Sequence, residues 1–71
     1  MTPARLVRIV FNGEERRLAA GLRVRSLLTA AEAEAVRRGE MAVRDARGRE
    51  RGLGGALLEG AALSLVPRGR P

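Results

Sequence analysis

Val7-Arg8-Ile9-Val10-Phe11-Asn12-Gly13-Glu14-Glu15-Arg16-Arg17-Leu18 is the stretch from which the rest of the chain can be ordered. From Arg5 to Phe11 the residues are largely β-branched or aromatic, and strand alternation puts Val7, Ile9 and Phe11 on one face and Leu6, Arg8 and Val10 on the other. Asn12 and Gly13 both tolerate positive φ, the requirement of the two-residue hairpin turn whose twist matches its flanking strands. Glu14 to Ala19 is therefore expected to return as a second, antiparallel strand.

After Ala20-Gly21, the residues Val24, Leu27, Leu28, Ala31 and Ala35 recur at helical spacing. Arg37-Arg38-Gly39 is the expected stop, with cations beside the exposed carbonyls and a glycine free to turn left-handed. The start has two versions. Thr29-Ala30-Ala31-Glu32 fits a capping box, so the region is either one helix from Val24 or two pieces broken at Thr29. Met41 and Val43 then alternate with Ala42 and Arg44, Asp45-Ala46-Arg47-Gly48 reads as a turn, and Arg49 to Arg51 reads as a brief edge strand. Leu53 to Gly60 is expected to lay one apolar turn, carrying Leu57-Leu58, over the core. Ala61 to Val66 is the last strand, with Ala61, Leu63 and Leu65 facing in and Ala62, Ser64 and Val66 facing out. Pro67 lacks the donor to continue a ladder and is expected to end it. This order predicts an α+β domain over 1–66, a four- or five-stranded mixed sheet on one main helix, followed by a flexible tail, Pro67, Arg68, Gly69, Arg70 and Pro71. A single helix covers one sheet face and leaves the other open.

Composition narrows the chemistry. The 71 residues include 14 basic and 8 acidic side chains, a net charge of +6, and neither Cys nor His. Disulfides, thiolate nucleophiles, imidazole bases and zinc ligation by those residues are thereby excluded. Ser26 and Ser64 have no His or Lys to act as base, Glu32 and Glu34 point to different helix faces, and Glu14-Glu15 sits beside a turn. The expectation is no catalytic residue, no cofactor and no metal. Arg5 and Arg8 break the apolar run from Met1 to Val10, and no stretch approaches the roughly 18 apolar residues of a membrane span, so a cytoplasmic protein is expected. Every basic residue is Arg, and Ala and Gly are abundant, as a compositional bias produces. Where the charges cluster therefore matters more than their total.

The segments V-R-I-V-F-N-G-E-E-R-R-L, A-G-L-R-V-R-S-L-L and L-L-E-G-A-A-L-S-L-V-P together resemble the β-grasp, ubiquitin-like sulfur-carrier family of the thiamine carrier (ThiS) and the molybdopterin-synthase small subunit (MoaD). The likeness covers nearly the whole chain. Its most specific pieces are Asn12-Gly13-Glu14, then Gly21 with Val24, Leu27 and Leu28, then Gly60 before the last apolar strand. The resemblance implies a β-grasp fold and a protein partner such as an adenylating enzyme or a synthase. In that family a C-terminal Gly-Gly carries the reacting carboxylate, which is adenylated and converted to a thiocarboxylate. Here the sequence closes Val66-Pro67-Arg68-Gly69-Arg70-Pro71, with one glycine and a ring-locked proline, so the donor role is carried onto no residue.

Three functional readings follow from the sequence. The first is a non-enzymatic interaction module whose open sheet face, formed by Arg8, Val10, Arg44, Ser64 and Val66, meets a protein partner. The second is a sulfur carrier activated after trimming to Gly69. The third is RNA binding through Arg44, Arg47, Arg49 and Arg51, the densest basic cluster, whose guanidinium groups would reach phosphates. The segment Ala35 to Val66 is also similar to helix-and-hairpin RNA-binding modules of ribosomal and RNA-modifying proteins. Against that likeness stands the N-terminal hairpin, which such modules do not need; and the Arg cluster has no stacking platform for single-stranded bases, since the chain has no Trp or Tyr and its single Phe is expected in the core.

Overall fold

The computed structural model describes residues 5–68. The opening hairpin pairs β1 (Leu6–Phe11) with β2 (Glu14–Ala19) in the expected register, closing at Phe11↔Glu14. Asn12 at φ 52° and Gly13 at φ 82° form the turn. A 3-10 turn (Val24–Leu27) and one helix, α1 (Ala30–Arg37), cross to β3 (Met41–Asp45), β4 (Glu50–Arg51) and β5 (Ala62–Pro67). The strands form one mixed sheet in the order β2-β1-β5-β3-β4. β1 and β5 run parallel side by side, joined at Val10↔Ala62 and Phe11↔Leu63. The architecture is α+β, five strands gripping one helix, the arrangement of a β-grasp fold.

The helical region adopts the broken version. Leu28 is extended, and Thr29 begins α1 with a complete capping box: its hydroxyl accepts from Glu32 N at 3.1 Å and its own N–H donates to the Glu32 carboxylate at 2.8 Å. The break lies at Leu28, whose extended backbone ends the turn and lets Thr29 cap α1. The turn itself is docked on the 53–57 loop, Val24 N–H donating to Gly55 O at 2.9 Å and Arg25 N–H to Leu53 O at 3.0 Å, which satisfies donors that have no partner inside a helical turn. The segment expected as one apolar turn has two turns, at Leu53-Gly54 and Glu59-Gly60, with a bridge between Arg23 and Ala56 between them, and it buries Leu57. A Cβ on Gly55 would stand 3.1 Å from Gly52 O, which explains the glycine on steric grounds. At its far end α1 stops where expected: Gly39 at φ 79° donates to Val36 O and Glu40 N–H donates to Ala35 O, satisfying the last carbonyls.

Ile9, Phe11, Val24, Leu27, Val43, Leu57 and Leu63 form the core, with Leu18, Leu28, Val36 and Leu65 packed around it. Ile9, Phe11, Val43, Leu63 and Leu65 lie on the sheet face opposite Arg8, Val10, Arg44, Ser64 and Val66, as alternation groups them. α1 contributes buried Ala33 and half-buried Val36, so most of the cover comes from the irregular segments on either side of it.

The boundary at Pro67 is corrected. β5 continues through Pro67, which sits opposite Met41, and Arg68 N–H donates to Glu40 O at 3.0 Å. By the alternation of an antiparallel ladder, the missing Pro67 donor points away from β3, toward the side of β1. The β1 chain has already turned away there at Asn12, so the proline costs no ladder bond. Pro67 thus belongs to β5 and not to a tail, and Arg68, just beyond the strand, is held by its bond to Glu40; Gly69, Arg70 and Pro71 lie outside the described residues.

Candidate functional site

Strand pairing carries the outward alternation of β1 across the whole sheet. Leu6 faces Ala19, Arg8 faces Arg17, and Val10 lies between Glu15 and Ala62. On the other side of β5, Ser64 pairs with Arg44, which pairs with Glu50, while Val66 pairs with Ala42. Residues directly opposite each other share a face. Arg8, Val10, Arg44, Ser64 and Val66 therefore stand on one surface, on the side away from α1 and the core. Arg8, Val10 and Ser64 are exposed, whereas Arg44 and Val66 are half-buried.

This surface has an apolar end and a polar end. At the first, Leu6 is 57% and Val10 38% exposed, beside small Ala19 and Ala62. Leu6, Val7, Arg8, Arg17 and Glu59 line a shallow notch of about 250 Å³ there. Glu59 holds the notch in shape, because its carboxylate accepts from the Arg8 N–H at 3.0 Å and lies 3.8 Å from the Arg8 guanidinium. The backbone bond arises because β5 starts at Ala62, too late to satisfy the Arg8 donor, and an unpaired amide is costly. Arg17 is likewise paired, 3.6 Å from Glu15.

At the polar end the Arg68 guanidinium donates to the Glu50 carboxylate. By register this pair spans the row holding Ala42, which is fully buried although it lies on the outward side. The hydrogen bond from Arg68 holds the Glu50 carboxyl below its ordinary value of 4.5, against some desolvation and with help from the Arg68 and Arg44 charges. The Arg44 guanidinium donates to Gly48 O at 3.0 Å.

The basic hairpin is divided by the same alternation. Arg44 belongs to the outward surface, but Arg51 pairs with Val43 and so stands on the core side, where it donates to Ala56 O at 3.5 Å. Arg49 lies 3.7 Å from Asp45. The Asp45 carboxylate also accepts the Arg47 and Arg49 N–H groups at 2.9 Å each; these backbone bonds, that of Arg49 foremost, keep its pKa below the ordinary 3.8 despite desolvation. The structure thus does not bring Arg44, Arg47, Arg49 and Arg51 to one phosphate-reading surface.

Leu6 and Ala62, grouped by alternation with the outward residues, were left out of the candidate site, and Arg17 was placed on neither face. Strand alternation already placed Leu6 with Arg8 and Val10, so its signal was present; Arg17 required the hairpin register. No helix among the described residues is long and apolar enough to cross a membrane. No protein-family model matches the chain, and a search of curated proteins finds no match.

Proposed function

We propose that this chain is a non-enzymatic β-grasp interaction module that docks a protein partner on its uncovered sheet face. The observation that carries this reading is the exposed Leu6 and Val10, set beside the small residues Ala19 and Ala62, with Arg8 and Arg17 standing between them. Exposed apolar side chains interspersed with guanidinium groups suit a small, partly polar protein interface. The ready-made notch at Leu6 offers a place for one anchoring side chain of the partner. The likeness of the opening hairpin and final strand to ThiS and MoaD supports an adenylating enzyme or a synthase subunit as that partner.

Site-specific photocrosslinking in the native cell tests it. A photoreactive side chain placed at Val10 is expected to give a discrete protein adduct, while the same group at exposed Ala31 on α1 gives none. Crosslinks from Ala31 and none from Val10 would assign docking to the helical side and refute the reading.

A further inference from the structure

Where the β3–β4 turn meets the loop entering β5, a second groove of about 310 Å³ opens, rimmed by Arg47, Arg49 and Arg51. Its apolar lining includes Leu58, Ala61 and Leu63, and Leu58 is 63% exposed, the most exposed large apolar side chain among the described residues. Only Glu59 is shared with the notch at Leu6.

The charges here are unevenly matched. Asp45 lies against Arg49, and Glu59 is bound by Arg8 from outside the groove. Among the described residues neither Arg47 nor Arg51 forms a salt bridge of its own: Arg51 donates to the Ala56 carbonyl at 3.5 Å and shares Asp45 with Arg49 only through its charge. Two guanidinium groups without a carboxylate in contact, beside an exposed leucine, call for a ligand that is anionic and aliphatic at once.

We propose that this groove binds an acidic peptide segment of a protein partner, with an aliphatic residue between its carboxylates. The aliphatic side chain covers Leu58 and Ala61, and the flanking carboxylates meet Arg47 and Arg51. RNA fits less well: it has phosphates for the guanidinium groups but no aliphatic group for Leu58, and the lining has no aromatic ring on which a base would stack. The assignment does not depend on the sheet-face reading, and either can fail alone.

The test is an NMR titration of the full chain with a short synthetic peptide of Glu and Asp around one central Leu. Its controls are the same peptide with Ser in place of Leu and a single-stranded RNA of equal charge. Saturable binding is expected, with shifts at the Leu58 methyls and at the Arg47 and Arg51 side-chain N–H groups. Loss of the peptide leucine is expected to weaken binding about tenfold, equivalent to about 1.4 kcal/mol. Leu58→Ser, at an exposed position, should give a similar loss, and Arg47→Gln about threefold. Equal binding of the Ser peptide, tighter binding of the RNA, shifts confined to Val10 and Ser64, or no saturable binding by about millimolar peptide would each overturn the assignment.

Discussion

The β1–β2 hairpin turns on Asn12 and Gly13, whose backbones both take positive φ, whereas the β3–β4 hairpin turns over Asp45–Gly48 around a carboxylate that accepts two N–H groups. Both outer strands are edges: β2 is half-buried only at Leu18, and β4 only at Arg51. The difference lies in what each turn residue does beyond its own turn. Asn12 Oδ1 accepts from Leu65 N–H at 2.9 Å, satisfying a β5 donor just where β1 has ended. The Asp45 side chain accepts only from the backbone of its own hairpin. The first turn is therefore tied to the parallel β1–β5 pairing, and the second serves local order. The two hairpins should respond to substitution accordingly.

The largest effect is expected in the first hairpin's core. Phe11 is almost fully buried and carries the Arg16 guanidinium 5.3 Å from its ring centroid. Phe11→Ala should destabilise the fold by about 3–5 kcal/mol in urea unfolding. A loss under about 1 kcal/mol would mean that the central pairing does not organise the core. Next comes the contrast between the turns. Asn12→Ala forces alanine into a left-handed conformation and orphans Leu65 N–H, for a loss of about 1–3 kcal/mol. Asn12→Gly keeps the conformation and isolates the lost hydrogen bond. Asp45→Ala should cost less than Asn12→Ala and leave exchange of the Leu65 amide unchanged; equal acceleration of that amide by both variants would erase the distinction between the turns.

Smaller still is the helix start, where Thr29→Ala removes one half of the capping box and should cost about 1 kcal/mol, read as a shift in urea midpoint at constant slope. The smallest effect is at the edge of β4. Because Arg68 lowers the Glu50 pKa, the folded chain takes up this proton less readily than the unfolded chain. The stabilisation is thus present above about pH 4.5 and is lost as pH falls through the lower folded value. In a carbon-detected titration, Arg68→Ala should move the Glu50 midpoint upward; an unmoved midpoint would remove Arg68 as the cause.

These contrasts also explain what could be read in advance. Both hairpins and the stop at Gly39 were legible, because turn chemistry and alternation are local signals. The choice between one helix and two was not, since the apolar spacing from Val24 and the capping box at Thr29 are competing local signals, and the extended Leu28 shows that the capping box prevails. Pro67 misled because its missing donor matters only on the side where a neighbouring strand runs. The Arg-rich hairpin looked like one cluster until its register put Arg44 opposite Glu50 and Arg51 opposite Val43. For the outward face, alternation grouped Arg8, Val10, Arg44, Ser64 and Val66 correctly, but the closing of one end by Arg68 and Glu50 depends on how far β5 runs.

The proposed docking face is tested most directly by the affinity of the partner captured at position 10, measured for wild type, Val10→Asp and an Ala31→Asp control. A carboxylate at Val10 is expected to weaken binding by tenfold or more, about 1.4 kcal/mol at least, while Ala31→Asp binds as the wild type does. Undiminished binding by a folded Val10→Asp chain would contradict the assignment.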